Sequence, residues 1–123
     1  MPAASHEIAI KRAYDPPAAT DGVRILVDRL WPRGIAKDKA KIDLWLKEIA
    51  PSDGLRKRFH RHPEDWDAFR AAYAAELKHA DEAVKELRGH LRKGTITLLY
   101  AARDEEHNNA VALKRWLARR RTT

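Results

Sequence analysis

Two runs of strand-forming residues stand on either side of a long helical stretch, and no other pattern in the chain limits the possible folds as strongly. The first run, Val23–Asp28, contains the apolar triplet Ile25–Val27, and the second run, Thr95–Tyr100, is equally rich in β-branched and aromatic residues. Such runs are typical of strands covered on both faces. Because two parallel strands need a crossover of a dozen residues or more, the helical stretch predicts that they lie parallel in one sheet.

A further strand is predicted before these two. Glu7–Tyr14 alternates weakly between apolar and polar residues, and turn-forming residues follow at Asp15–Pro17 and at Asp21-Gly22. The eight residues from Asp15 to Gly22 are few for a crossover without a helix. The residues themselves therefore leave both a hairpin and a parallel connection open.

Five amphipathic helices are predicted, four of them between the second and third strands. Their apolar residues recur at spacings of three and four, and most begin at a capping residue or a first-turn proline. In chain order these apolar residues are Ile42, Trp45, Leu46 and Ile49; Leu55 and Phe59; Trp66, Phe69, Tyr73 and Leu77; Val84, Leu87 and Leu91; and Ala110, Leu113 and Leu117. The signals for helix starts are Ser52, Pro63, Asp81 and Asp104, and Gly94 marks a helix end. The fold class is therefore α/β: a single compact domain over residues 1–123, with a small, mainly parallel three-stranded sheet flanked by about five helices. We expect residues 1–6 and 120–123 to be frayed tails.

Composition excludes several classes of function. The chain has no cysteine, which excludes a disulfide, a thiolate nucleophile and a cysteine zinc site. No apolar run approaches the ~18 residues of a membrane span, and Met1–Lys11 lacks the apolar region of a signal peptide. We therefore expect a cytoplasmic domain without membrane contact. Histidine spacing and the absence of a glycine-rich phosphate loop predict no metal site and no cofactor.

The net charge of +7 comes from 25 basic and 18 acidic residues and is unevenly distributed. Arg56–His62 forms one basic run, and Lys114–Arg121 contains another. These runs are either solvated helix faces or a surface for non-specific nucleic-acid binding. No pair of turn-linked strands follows Arg56–His62, which argues against a winged-helix regulator.

Polar residues follow two predicted strands where each strand ends. Asp28–Gly34 follows the second strand, and Arg103–Asn109 follows the third. Ligands of parallel sheets usually bind beyond the carboxyl ends of the strands, so we expect a site there. Arg29 and Arg33 offer forked donors for an anion, and a helix start near Asp104–His107 offers backbone N–H groups.

Other side chains of these segments have two interpretations each. Trp31 can stack on a ligand or pack in the core, and Asp28 can transfer protons or pair with Arg29. Glu106 and His107 can also transfer protons. Alternatively, His107 can be a packed, hydrogen-bonded histidine. Asp104 is most simply a helix cap. The three tyrosines are expected in the core, with their hydroxyl groups at its edge.

Arg24–Gly34 (RILVDRLWPRG), together with Leu98–Asp104 (LLYAARD) and His107-Asn108, resembles the YeaO-like branch of a family of domains of unknown function, DUF488. The resemblance extends from about Ile8 to Leu117. It implies a compact α/β domain with a small parallel sheet, and hence a parallel first connection, but it implies no substrate. Longer members of the wider family carry a Cys-His-Arg cluster where this chain has His107-Asn108-Asn109.

The positions that match the family coincide with the strand-end segments. The candidate ligand-binding residues are Arg29, Trp31, Arg33, Gly34, Arg103, Asp104 and Asn108, and the candidate catalytic residues are Asp28 and His107. Three hypotheses follow: an anionic or nucleotide-like small molecule binds at this edge, with or without turnover, the basic surface binds nucleic acid, or the domain is a stress-related interaction module. The sequence leaves the oligomeric state open.

Overall fold

The computed structural model describes residues 7–120. Its strands are β1 (Ile8–Arg12), β2 (Val23–Leu26), β3 (Leu44–Trp45) and β4 (Ile96–Tyr100). Its helices are α1 (Lys37–Ala40), α2 (Asp53–Arg61), α3 (Trp66–Leu77), α4 (Asp81–Lys93) and α5 (Asn109–Arg120), and short 3-10 turns occur at Ala19–Asp21 and Lys47–Ile49. Of the tails expected at 1–6 and 120–123, residues 1–6 and 121–123 lie outside the described residues, and Arg120 is the last residue of α5.

The α/β class and the parallel sheet are confirmed, but the sheet has four strands rather than three. The strand order is β1-β4-β2-β3, and every pairing is parallel. The connection from β1 to β2 is therefore parallel and not a hairpin. All five residues of β4 are buried, because this central strand is covered on both faces.

The two faces of the sheet are covered unequally. One face packs against α3, α4 and α5 in the main core, to which Ile25 and Leu98 contribute. On the other face a small cluster of Ala13, Leu26 and Leu99 is covered by Trp31 and residues near it. No helix in the described part of the chain is both long and apolar enough to cross a membrane.

The helix predicted from Ile42 to Ile49 is wrong. Leu44 and Trp45 form β3, and a 3-10 turn follows at Lys47–Ile49. The apolar spacing of this segment fits a helix, but its backbone bonds to the open edge of β2 instead: Leu46 N–H donates to Leu26 O at 3.0 Å. The start predicted for the last helix is also wrong, since α5 begins at Asn109. Ser52 does cap α2, by accepting from Leu55 N–H, and Gly94 follows the last residue of α4 as predicted.

Candidate functional site

The carboxyl ends of β2 and β4 lie side by side, which joins the two polar segments. Asp28 Oδ2 accepts a hydrogen bond from Ala101 N–H at 2.9 Å. Asn109 Nδ2 donates to Val27 O at 2.8 Å. The segments that follow the two strands are thus directly bonded to each other, and this carboxyl edge is one continuous surface.

Asp28 holds that junction together. It is half-buried, and its burial raises the pKa of the carboxyl above its ordinary value, although hydrogen bonds from Ala101 and Asn109 and the charge of Arg56 oppose the rise. Its backbone oxygen accepts from Trp45 Nε1 at 2.8 Å. The side chain therefore cross-links the sheet edge, which fully explains its position without a ligand.

Arg29 is also used by the fold. Its Nε donates to Pro51 O at 3.2 Å and its Nη2 to Ala50 O at 3.4 Å. These bonds fix the segment that leads into α2. The guanidinium forms no ion pair with Asp28, and two of its donors face backbone carbonyls where an anion clamp would need them free.

Trp31 is a packing residue. Its Nε1 donates to Ile35 O at 2.8 Å, and its ring meets Trp45 edge-on with the ring centres 5.4 Å apart. Lys37 Nζ lies 6.0 Å from the centre of the ring. These contacts favour the packing interpretation of Trp31 over stacking on a ligand.

Asp104, His107 and Asn108 organise the loop before α5. Asp104 Oδ1 accepts from the N–H groups of Glu106 at 2.9 Å and His107 at 3.0 Å, and its Oδ2 lies 3.1 Å from His107 Nδ1. The bonds from Glu106 and His107 hold the pKa of Asp104 below its ordinary value. The His107 ring also meets Trp66 edge-on at 5.2 Å. Asp104 therefore closes a turn and does not cap the helix.

The cap of α5 is Asn108. This residue is buried, and its Oδ1 accepts from Val111 N–H at 3.0 Å while its Nδ2 donates to Asp104 O at 2.9 Å. Because Asp104 and Asn108 already accept from the N–H groups of residues 106, 107 and 111, those donors do not await an external anion.

Arg33 and Arg103 remain open. Both are exposed, and neither guanidinium forms a hydrogen bond or an ion pair with a residue in the described range. Gly34 has a φ of 76°, in the left-handed region that favours glycine, and so lets the chain turn directly after Arg33.

Two residues of this edge were missed by the sequence analysis, Arg12 and Tyr14. Arg12 Nε donates to Ala102 O at 2.9 Å and its Nη2 to Ala101 O at 3.0 Å. Its guanidinium lies 4.9 Å from the centre of the Tyr14 ring, and Tyr14 Oη donates to Arg33 O at 3.0 Å. Tyr14 is 43% exposed, so placing it in the core was wrong. Their position at the end of β1 would identify them as residues of this edge, but only once β1 is known to run parallel to β4.

We call Arg12, Tyr14, Arg33 and Arg103 the arginine edge. Arg12 lies at the carboxyl end of β1, and Arg103 and Arg33 lie in the segments that follow the adjacent strands β4 and β2. The Arg12 guanidinium contacts the exposed ring of Tyr14, and the backbone of Arg33 accepts from its hydroxyl group. Asp15 and Glu105 are close enough to act electrostatically on Tyr100 at the same edge, and Asp15 Oδ2 already accepts from Arg12 N–H at 2.9 Å. The arrangement can bind an anion of moderate charge.

Other features lie away from this edge. A shallow cleft of about 390 Å³ is lined by Leu46, Ala83 and carboxylates of the first half of α4. Among the described residues, His62, Glu64 and Asp65 bring their ligand atoms within 4.8 Å of one another, but all three are exposed. None of the residues of these two features is among those predicted for the site.

The chain is similar to known proteins along most of its length. The family model described as the inactive DUF488-N3 subclade matches residues 7–123. The chain is 48% identical to the uncharacterized protein YeaO of Escherichia coli over 110 residues, which cover 89% of this chain and 96% of that protein. It is 37% identical to the uncharacterized protein Rv3073c of Mycobacterium tuberculosis over 110 residues, or 89% of this chain and 92% of that protein. No solved structure matches the chain significantly.

Proposed function

Because this chain belongs to the DUF488 family, in the subclade described as inactive, we propose that it is a binding domain for a phosphate-bearing small molecule. The ligand binds at the arginine edge and is not turned over. The observation that carries this proposal is that Arg33 and Arg103, two exposed arginines without a side-chain partner in the described range, follow the adjacent parallel strands β2 and β4. Planar guanidinium groups match phosphate oxygens in pairs, and the carboxyl edge is the usual ligand position of parallel sheets.

The candidate catalytic residues support binding without turnover. Asp28 accepts hydrogen bonds from Ala101 and Asn109 within the fold, and His107 is held by Asp104 and Trp66. The chain has no cysteine to act as a thiolate nucleophile. The subclade name is consistent with this arrangement, in which the acid, base and nucleophile positions are structural or absent.

The proposal predicts that Arg33→Ala with Arg103→Ala weakens binding of inorganic pyrophosphate and of ribose 5-phosphate at least tenfold. Loss of one charge-assisted hydrogen-bond partner typically costs about 1.5–3 kcal/mol, and about 1.4 kcal/mol is a factor of ten. Isothermal titration calorimetry at low salt measures both ligands, and the arginine Nε–Hε signals in NMR locate them.

The matched control is Arg92→Ala, which removes an exposed arginine on α4 that has no partner among residues 7–120. This variant should change either affinity less than twofold. Failure of both ligands to bind the unmodified protein would refute the proposal. Affinities in the double variant that equal those of the unmodified protein would refute it as well.

Helix α2 favours a second candidate function, non-specific nucleic-acid binding. Its side chains Arg58, His60 and Arg61 are exposed, and neither arginine pairs with a carboxylate of a described residue. Phosphate contacts release counterions, so affinity for duplex DNA should fall steeply with salt. Arg58→Ala with Arg61→Ala is expected to reduce the slope of log K against log salt by about 2, as followed by fluorescence anisotropy. A flat salt dependence in the unmodified protein would exclude this function.

A further inference from the structure

We infer that the arginine edge recognises a nucleotide unit, whose base stacks on the Tyr14 ring while its phosphate meets Arg33 and Arg103. This inference rests on the proposed function and names its ligand class. The shared chemistry is an aromatic base joined to a phosphate, which either a free nucleotide or a single strand of nucleic acid supplies.

The first support is the exposure of Tyr14. Among the described residues only Tyr14, at 43%, and Leu30, at 60%, are large apolar side chains classed as exposed. The other aromatic residues are buried or half-buried, including Trp31, which the sequence made the stacking candidate. An aromatic ring that stays 43% exposed with a guanidinium group packed over it is suited to stacking with a base.

The second support is that the ring is held in place before any ligand arrives. Its hydroxyl group donates to Arg33 O at 3.0 Å, and the Arg12 guanidinium lies over the ring at 4.9 Å. Arg12 is itself fixed by hydrogen bonds to Ala101 O and Ala102 O. A ring fixed in this way loses little side-chain entropy on stacking, which favours binding.

The third support is the position of the cations around the ring. Arg33 lies at the hydroxyl end of Tyr14, and Arg103 directly follows Ala102, whose carbonyl holds Arg12. The backbone of Arg33 thus contacts the hydroxyl group of the ring, and Arg103 is one residue away from the carbonyl that holds the Arg12 guanidinium over the ring. A sugar phosphate would use the arginines and leave the ring uncovered, whereas a nucleotide uses both.

The experiment compares AMP, adenosine and ribose 5-phosphate by isothermal titration calorimetry on the full chain. We expect AMP to bind about tenfold tighter than ribose 5-phosphate, because stacking adds to the phosphate contacts. In Tyr14→Leu, AMP and ribose 5-phosphate should bind with equal affinity. Tyr14→Phe keeps the ring and should retain the preference for AMP.

Leu30→Ala is the control, since it removes the other exposed large apolar side chain of the described residues and keeps the ring. It should leave the ratio of the two affinities unchanged, and urea unfolding checks that each variant is folded. Equal binding of AMP and ribose 5-phosphate by the unmodified protein overturns this inference while the proposed function stands. Loss of the AMP preference in Leu30→Ala, or its persistence in Tyr14→Leu, also overturns it. If neither these phosphate compounds nor inorganic pyrophosphate binds, the proposed function itself fails.

A short oligoadenylate separates the two sources of the nucleotide unit. Tighter binding of the oligoadenylate than of AMP, lost in Tyr14→Leu, indicates a single strand, and equal binding indicates a free nucleotide. Either result supports the inference. Binding of the oligoadenylate that is unaffected by Tyr14→Leu but lost with Arg58→Ala and Arg61→Ala places the strand on α2 and overturns it.

Discussion

Replacing Arg24 by alanine is expected to lower the free energy of unfolding by about 3 kcal/mol, because it leaves a buried carboxylate without its main partner. Arg24 and Asp21 are only 3% and 5% exposed, and Arg24 Nη1 lies 2.6 Å from Asp21 Oδ2. Arg24 also donates to Ala40 O and Lys41 O at 3.0 Å, which holds the turn between α1 and β3. Lys11 Nζ remains 3.1 Å from Asp21, so the expected loss stays at the lower end for a broken buried pair.

The pH dependence of unfolding gives this prediction a second readout. Burial disfavours the charge on Asp21, but hydrogen bonds from Ala18 N–H, Lys11 and Arg24 outweigh it and hold the pKa below the ordinary value of 3.8. A lowered pKa stabilises the fold above pH 3.8, and this contribution is lost as the pH falls through the folded-state value. The variant lacks the Arg24 bond, so its stability should approach that of the unmodified protein in acid.

Urea unfolding tests both statements, with Arg92→Ala as the control for loss of an exposed arginine. Arg24→Met combined with Asp21→Asn should recover part of the lost stability, since no uncompensated charge then stays buried. A loss below about 1 kcal/mol in Arg24→Ala, equal to that of a surface substitution, would show that the pair contributes little.

The arrangement of the sheet was largely predictable from the sequence. The apolar run Ile25–Val27 and the helical stretch before Thr95 required a parallel pair, and β2 and β4 are indeed adjacent and parallel. The meeting of the segments after Asp28 and Arg103 follows from that pairing alone. The pattern of apolar residues and the length of the connection are sufficient to predict this pairing. The pattern follows from local strand geometry, and a long helical connection between two strands of one sheet makes them parallel.

Strand β3 was not predictable in the same way. The apolar residues around Leu44 have a helical spacing, but this segment pairs with the open edge of β2. Asp43 N–H donates to Arg24 O at 2.9 Å, and this bond to β2 decides against a helix. Likewise, Asp104 and Asn108 are both good capping residues, and the choice of Asn108 depends on its burial and its bond to Val111. Tertiary contacts of this kind leave no trace in the periodicity.

The candidate site also combines features that the sequence predicts with features that only tertiary contacts decide. The sequence predicts Arg29 and Trp31 as ligand-binding residues because of their donors and aromatic ring. In the fold, Arg29 donates to Ala50 O and Pro51 O, and Trp31 donates to Ile35 O. Sequence gives the residue type but not which hydrogen-bonding partners a neighbouring loop already supplies. Tyr14 lies on the carboxyl edge only because β1 pairs with β4 in parallel, and the residues of the first connection left that orientation undecided.

Gly22→Ala is expected to lower the free energy of unfolding by about 3 kcal/mol, through a backbone collision at the opposite edge of the sheet. Gly22 has a φ of 65° and a ψ of −143°, a combination that is essentially restricted to glycine. A Cβ atom there would lie 2.0 Å from Thr95 O, the carbonyl that accepts a hydrogen bond from Val23 N–H at 3.2 Å. Relieving the collision must move the starts of β2 and β4 apart.

The internal control is Gly89→Ala, a glycine within α4 whose Cβ would meet no atom within 4 Å. Alanine favours the helix there, so this variant should raise the free energy of unfolding by about 0.5–1 kcal/mol. The two substitutions are therefore expected to change stability in opposite directions.

Because the contact of Gly22 with Thr95 sets the register of Val23 opposite Ile96, it also sets which residues of the following loops meet at the carboxyl edge. In a Gly22→Ala protein that still folds, amide signals of Arg33 and Arg103 should shift although both lie at the far end of the strands. Unchanged stability and unchanged signals together would mean that the register is fixed elsewhere.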